Sequence, residues 1–179
     1  MKYERHIMRV DLSARTINWK PWSPEYAWMS WNDSLLEPMA KLVYLAFSST
    51  ADAAIFPRFR TQKSCKMSVT RMITQKGFFA SASGINAISV SSGVVYAGGI
   101  IGAILEDKTG WIQNVFVDPG MHGRGIGSFL VEHLLKAFIK NGNKQVGLHV
   151  TATNAPAIGL YSNYGFEITE TIEMEPKDF

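Results

Sequence analysis

A single cysteine, Cys65, among 179 residues rules out an internal disulfide and any zinc framework built on cysteines. That scarcity fits a reducing compartment. Long apolar runs are also missing: the uncharged stretch that ends at Leu105 is broken by serines and glycines, and its most apolar part, Val94 to Leu105, is too short and too rich in glycine to span a bilayer. The opening MKYERHIMRV carries charges throughout and has no apolar h-region, so no secretory signal is visible and a cytoplasmic protein is the expectation. Clustered Lys/Arg runs are absent as well. A net charge of +3 and a pI near 9.0 would favour a polyanionic ligand without amounting to a nucleic-acid footprint. Neither a metal-ligand spacing nor a Ser-His-Asp order stands out, which leaves no expected metal. What the chain does contain is apolar material: 46% hydrophobic residues predict one domain, residues 1–179, with a sizeable core.

The most informative stretch is Trp111 to Val131. Residues rich in β-branched and aromatic side chains run from Trp111 to Val117, stop at Asp118-Pro119, and give way to glycines at 120, 123, 125 and 127. A helical period follows, with Ile126, Leu130, Leu134 and Phe138 on one face and Ser128, Glu132, Lys136 and Lys140 on a polar stripe expected to be wet. This reads as strand, glycine-rich turn, helix. A helix start leaves backbone N–H groups without partners, and glycines let an anion approach them, so His122 to Ser128 is a candidate phosphate cradle. A Walker loop is excluded because no Lys-Ser/Thr pair closes a longer Gly-to-Gly gap. A dinucleotide fingerprint is excluded too: Gly123-x-Gly125-x-Gly127 has the wrong spacing, and Lys144 to Val150 carries no acid.

Elsewhere the pattern is simpler. His6, Met8, Val10 and Leu12 alternate as a β-hairpin or edge strand over Arg5 to Trp19, interrupted at Ser13 to Arg15. Pro21 to Asn32 holds Trp22, Tyr26, Trp28 and Trp31 and reads as a loop pinned by aromatic burial, with a dimer contact or a pocket wall as alternatives. Asn32-Asp33-Ser34 caps a first amphipathic helix, and Thr61 to Lys76 forms a second with Cys65 inward. Ser48 to Arg60, including Asp52, is a polar and aromatic connection. Ile85 to Ser91, Val94 to Leu105 and Lys144 to Thr151 are strands, Gly98-Gly99 marks a hairpin turn or bulge, Glu106 to Gly110 is a hairpin connection, and Asn154 caps a short helix before the strand Phe166 to Glu173. Strand-helix-strand over Trp111 to Thr151 is a βαβ crossover. The predicted class is therefore α/β: a mixed, mostly antiparallel sheet with helices on both faces.

The turn resembles the pyrophosphate loop of the GNAT acetyltransferase superfamily, V-x-P-x-x-(Arg/Gln)-G-x-G-x-(Gly/Ala): Val117, Pro119, Gly123, Gly125 and Gly127 match in register. His122 stands where the family has Arg or Gln, with its N–H still expected to point at the ligand and Arg124 to compensate in part. A second block, Asn154-Ala155-Pro156-Ala157 and Leu160 to Phe166, is similar to the family's N-x-x-A-x-x-L-Y-x-x-x-G-F. The resemblance covers Ile100 to Glu175 well, with residues 100–175 as the cofactor-binding core and residues 1–31 as an appended strand and aromatic segment.

What the resemblance implies is acetyl transfer from acetyl-CoA to a primary amine of a small molecule or peptide. The backbone of Val115, Phe116 and Val117 would pair with the pantetheine arm in a gap between splayed strands. Gly123, Arg124, Gly125, Ile126, Gly127 and Ser128 would surround the pyrophosphate, with Asn154 against the pantetheine. Tyr161 would protonate the departing thiolate. The family's glutamate falls on Gln113, which cannot accept a proton and would hold a water or orient the acceptor. Either Glu106, His149 or an acid outside the motif then supplies the base through water, or the acceptor arrives largely deprotonated; alternation makes His149 a structural or solvated histidine first. The need for a base is large for a lysine-like amine, roughly 4–5 kcal/mol from neutral at pH 7, and only about 1 kcal/mol for an α-amine. Gln113 and His122 also motivate a rival, a non-catalytic acyl-CoA sensor or interaction module. A homodimer is the base-rate expectation for assembly.

Overall fold

In the computed structural model, which describes residues 2–14 and 16–176, seven strands form one sheet. Arg15, part of the expected interruption, lies outside the described residues. The strands are β1 (Tyr3–Asp11), β2 (Tyr26–Ser30), β3 (Gly84–Val90), β4 (Gly93–Ile104), β5 (Gly110–Val117), β6 (Gln145–Thr151) and β7 (Glu167–Met174). Their order is β2-β3-β4-β5-β6-β1-β7. Every neighbouring pair is antiparallel except β5 and β6, which are parallel and joined by helix α4 (Ile126–Lys140). The remaining helices are α1 (Leu36–Phe47), α2 (Ala51–Ile55), α3 (Gln62–Thr74) and α5 (Ala155–Ser162).

Helices cover both faces. The apolar stripe of α4 packs with Met8, Val10, Ile100, Ile112, Val146 and Leu148 in one cluster, and α1 and α3 pack with Ile85, Ile101 and Phe116 in another. Ile100 and Ile101 thus point to opposite sides, as neighbours on a strand must. On β5 the parity changes: Ile112 belongs to one cluster and Phe116 to the other, though four residues should return to the same face. The cause is a bulge. Ile101 pairs with Asn114 and Gly102 with Ile112, so Gln113 is the extra residue and every side chain beyond it changes sides. A second irregularity sits in β4, where Asn86 pairs with Gly98 and Ala87 with Tyr96, leaving Ala97 over. The glycine pair marks a bulge there, not a turn.

Three expectations need correction. Residues 3–11 are not an edge strand: β1 lies inside the sheet, between β6 and β7. The aromatic segment is not all loop, because β2 forms the sheet edge beside β3. The polar stripe of α4 is not all wet, because Glu132 is only 1% exposed. Its carboxylate accepts from the Trp22 indole N–H at 3.0 Å, the Lys20 backbone N–H at 3.1 Å and the Tyr164 hydroxyl at 2.9 Å. Residues 20–22 cross over the helix, and their donors offset the cost of burying a carboxylate.

The same strap brings Trp28 of β2 onto His133 of α4, ring centroids 3.7 Å apart and 25° from parallel. Burial, aided by Lys136, pulls the His133 imidazole down to about 4 from 6.5. The unfolded chain then takes up this proton first as pH falls, so stability is undiminished above 6.5 and declines towards about 4. His133→Phe keeps a stacking ring and removes the titration. The expected result is that wild type loses about 1–2 kcal/mol more than the variant between pH 7 and pH 4, after allowance for solvent screening. Thermal melts at both pH values test this, and parallel profiles would contradict it.

Candidate functional site

The parallel pairing of β5 with β6 runs from Gly110 and Val146 only to Ile112 and Leu148. Beyond the Gln113 bulge the two strands part, and a cleft of about 630 Å³ opens beside Val115 and Val117. Its far end is the turn after β5. The Asp118 side chain accepts from the Gly120 N–H at 2.8 Å and the Asp118 N–H donates to the Ala97 carbonyl at 2.9 Å, which fixes where the chain leaves the sheet. Gly123 and Gly125 then take φ of +78° and +76°, a region in which a side chain is strained. Gly125 caps α4 without a side-chain hydrogen bond, and the first intrahelical bond runs from the Phe129 N–H to the Gly125 carbonyl at 3.0 Å. The N–H groups of Ile126, Gly127 and Ser128 precede that bond and have no intrahelical acceptor, at the positive end of the helix dipole.

Most of the sequence-selected loop residues line this cleft: His122, Gly123, Gly125, Ile126, Gly127 and Ser128. Two details differ from expectation. The His122 N–H turns back onto the Pro119 carbonyl at 3.3 Å, so it closes a turn and does not face the cleft as an open donor. Arg124 is not among the lining residues, and its carbonyl accepts from the Tyr26 hydroxyl at 2.7 Å. Phe116 and Ile126 line the cleft although their side chains are buried in the core, so backbone is what they offer there. Asn154 accepts from the Ala157 N–H at 3.2 Å as the cap of α5.

A second cleft, about 620 Å³, lies on the other side of the β5 bulge. Arg5, Arg58, Arg71, Gln113 and His149 line it, and it meets the first along Asp52, Val115, Thr151, Asn154 and Tyr161. Tyr161 is buried against Phe166, with burial pushing its phenol well above the ordinary value and Arg5 opposing the shift. Asp52, on α2, accepts from the Thr151 hydroxyl at 2.7 Å. Gln113 has a buried side-chain oxygen without a hydrogen-bond partner. His149 points away from the core as its alternation requires, but away from the core here means into the cleft. Its ring meets Trp111 edge-on at 5.0 Å, and burial followed by Arg5 and Arg9 holds the imidazole below its usual range. Glu106 is excluded from both linings; it is 87% exposed and paired with Lys76 at 3.0 Å.

Cys65 is fully buried, with burial pushing its thiol up to about 11, which makes it a core residue and a poor nucleophile. Among the described residues no three His, Cys, Asp or Glu side chains gather to hold a metal, and no helix is long and apolar enough to cross a membrane. The arrangement is an anion-binding helix start at one end, a proton-bearing phenol in the middle and a charged cleft beyond.

A family model described as the acetyltransferase (GNAT) family matches residues 56–166. The chain belongs to this family. Among GNAT relatives, the ribosomal protein bS18-alanine N-acetyltransferase of Escherichia coli K12 is 36% identical over 91 residues, covering 49% of this chain and 60% of that enzyme. The chain therefore aligns with less than two thirds of that relative's length. A GCN5-related N-acetyltransferase from Sphaerobacter thermophilus superposes with a TM-score of 0.71 at 19% identity, covering 98% of this chain and 52% of the other. The PaiA N-acetyltransferase of Thermoplasma acidophilum, solved with coenzyme A, gives 0.60 at 14% identity, covering 84% and 98%. Both structures share the GNAT fold with this chain.

Proposed function

We propose that this protein transfers an acetyl group from acetyl-CoA to an amine by direct attack. The reading rests above all on one observation: two clefts meet at the buried phenol of Tyr161, and one of them ends on the open N–H groups of α4. The diphosphate binds the amides of Ile126, Gly127 and Ser128, where fixed dipoles favour negative charge without reorganising. The pantetheine arm lies along Val115 to Val117, whose backbone on that side has lost β6 as a partner. This delivers the thioester to the meeting point of the clefts.

The amine enters from the other cleft. Its nitrogen attacks the thioester carbonyl carbon, the C–N bond forms as the C–S bond breaks, the nitrogen's proton leaves through water to Asp52, and the departing sulfur takes the Tyr161 proton. Asp52 is an acid outside the motif that can take the role Gln113 cannot. Gln113 orients the acceptor through its unpartnered side-chain oxygen. A small-molecule amine or a peptide amine is the acceptor, in line with the relative named for acetylating a ribosomal protein alanine.

The test is to measure acetyl-CoA binding by calorimetry and CoA release across amino acids, amino phosphates, polyamines and peptide N-termini. The expected result is release that depends on the amine. Tight binding with no release from any amine would instead favour the sensor reading.

A further inference from the structure

The strap that buries Glu132 also reaches the glycine turn at the end of the first cleft. The Tyr26 hydroxyl, on the first residue of β2, donates to the Arg124 carbonyl at 2.7 Å. Arg124 stands between Gly123 and Gly125, both at positive φ, in a turn with few side chains to hold it. Such a backbone loses much freedom when it orders around a ligand, so an outside contact that fixes one of its peptide planes beforehand favours binding.

Which plane is fixed decides what the contact does. The described residues contain no cis peptide bond, and in a trans peptide the N–H of one residue points opposite to the carbonyl of the residue before it. Holding the Arg124 carbonyl against Tyr26 therefore turns the Gly125 N–H the other way. Gly123 and Gly125 line the cleft, whereas Arg124 and Tyr26 do not, so that direction is into the cleft. Among the described residues this N–H has no backbone acceptor. It extends the row of open donors at Ile126, Gly127 and Ser128 by one.

Tyr26 is itself held by its neighbours. Its ring lies against Phe129, in the first turn of α4, with centroids 5.7 Å apart, and meets Trp22 edge-on at 6.1 Å. The Trp22 indole N–H is anchored in turn on the buried Glu132 carboxylate at 3.0 Å. Trp22 and Tyr26 both lie outside residues 56–166, the segment that matches the family.

We propose that Tyr26 is a positioning residue of the acetyl-CoA site: its hydroxyl, held in place by the strap, orients the Arg124–Gly125 peptide so that the Gly125 N–H donates to the diphosphate. This inference rests on the acetyl-transfer reading for the identity of the ligand. It adds a support that the glycine turn does not supply for itself.

Tyr26→Phe removes the hydroxyl and keeps the ring. Its test compares acetyl-CoA with S-acetylpantetheine, which has the same thioester and pantetheine arm but no diphosphate. Calorimetry reads the first directly and the second by competition with CoA. Acetyl-CoA affinity is expected to fall at least tenfold, about 1.4 kcal/mol, while S-acetylpantetheine stays within twofold. A thermal melt checks folding. Should the variant fail to fold, Trp22→Phe, which releases the strap from Glu132, is read by the same comparison, with a selective loss of at least threefold expected. Unchanged acetyl-CoA affinity overturns the proposal, and so does an equal loss for both ligands, which would reduce Tyr26 to a part of the fold. Either result leaves acetyl transfer standing. Failure of acetyl-CoA to bind the wild-type protein overturns the acetyl-transfer reading, and this inference with it.

Discussion

Gly125→Asp is expected to reduce acetyl-CoA affinity by at least about 100-fold, equivalent to about 2.7 kcal/mol. Two effects act together. Gly125 holds φ at +76°, where any side chain costs backbone energy, and it caps α4 at the point where the ligand's diphosphate is proposed to sit. A carboxylate there competes for the same N–H groups and repels a second anion. Charge-assisted hydrogen bonds are each worth about 1.5–3 kcal/mol, so losing even one reaches the stated loss. A Cβ placed on the glycine comes no nearer to other groups than 3.5 Å from the Trp22 ring, so steric collapse is not the reason. Calorimetry with acetyl-CoA, alongside a thermal melt to confirm folding, checks the result. Wild-type affinity in a folded variant would sink the loop assignment.

Tyr161→Phe is expected to lower kcat by about 100-fold while acetyl-CoA affinity stays within about twofold, the size of effect typical of a lost general acid. The ring packs on Phe166 with centroids 5.7 Å apart, and phenylalanine preserves that contact. Only the proton donor is removed. Burial raises the Tyr161 phenol, which makes it a weaker acid than the free side chain. A thiolate forming beside the buried Tyr161 is partly desolvated and is raised in the same direction. Donor and acceptor therefore move together, and the proton transfer stays accessible. Steady-state rates at saturating acetyl-CoA and acceptor decide the matter, and an unchanged kcat would remove the acid role.

The βαβ unit was readable because its signals are local: β-branched residues, then glycines, then a helical period, all within Trp111 to Val131. The family resemblance supplied the splaying of β5 from β6, but nothing in the order of residues placed the bulge at Gln113. Glu132 was misread for a different reason. Periodicity groups it with Lys136 and Lys140, and what buries it is a segment more than a hundred residues away that crosses the helix. Asp52 had no local signal at all; its standing comes from α2 meeting Thr151 across the sheet. For His149 the alternation was right about direction and silent about what lay there. β2 was hidden because it is only five residues long and pairs with a strand, β3, that lies far along the chain.

The position of β1 has a consequence for how the molecule is assembled. Asp11 is paired with Gln145 and Tyr3 with Met174, so this strand finds neither neighbour until nearly the whole chain is available. Such pairings raise the contact order and slow folding, because a long loop must close before any hydrogen bond rewards it. Arg5, on that strand, reaches the acceptor cleft only when the closure is complete. A cleft lined in part by Arg5 is thus complete only once β1 has found both of its neighbours, which ties the shape of the pocket to the most distant pairings in the chain.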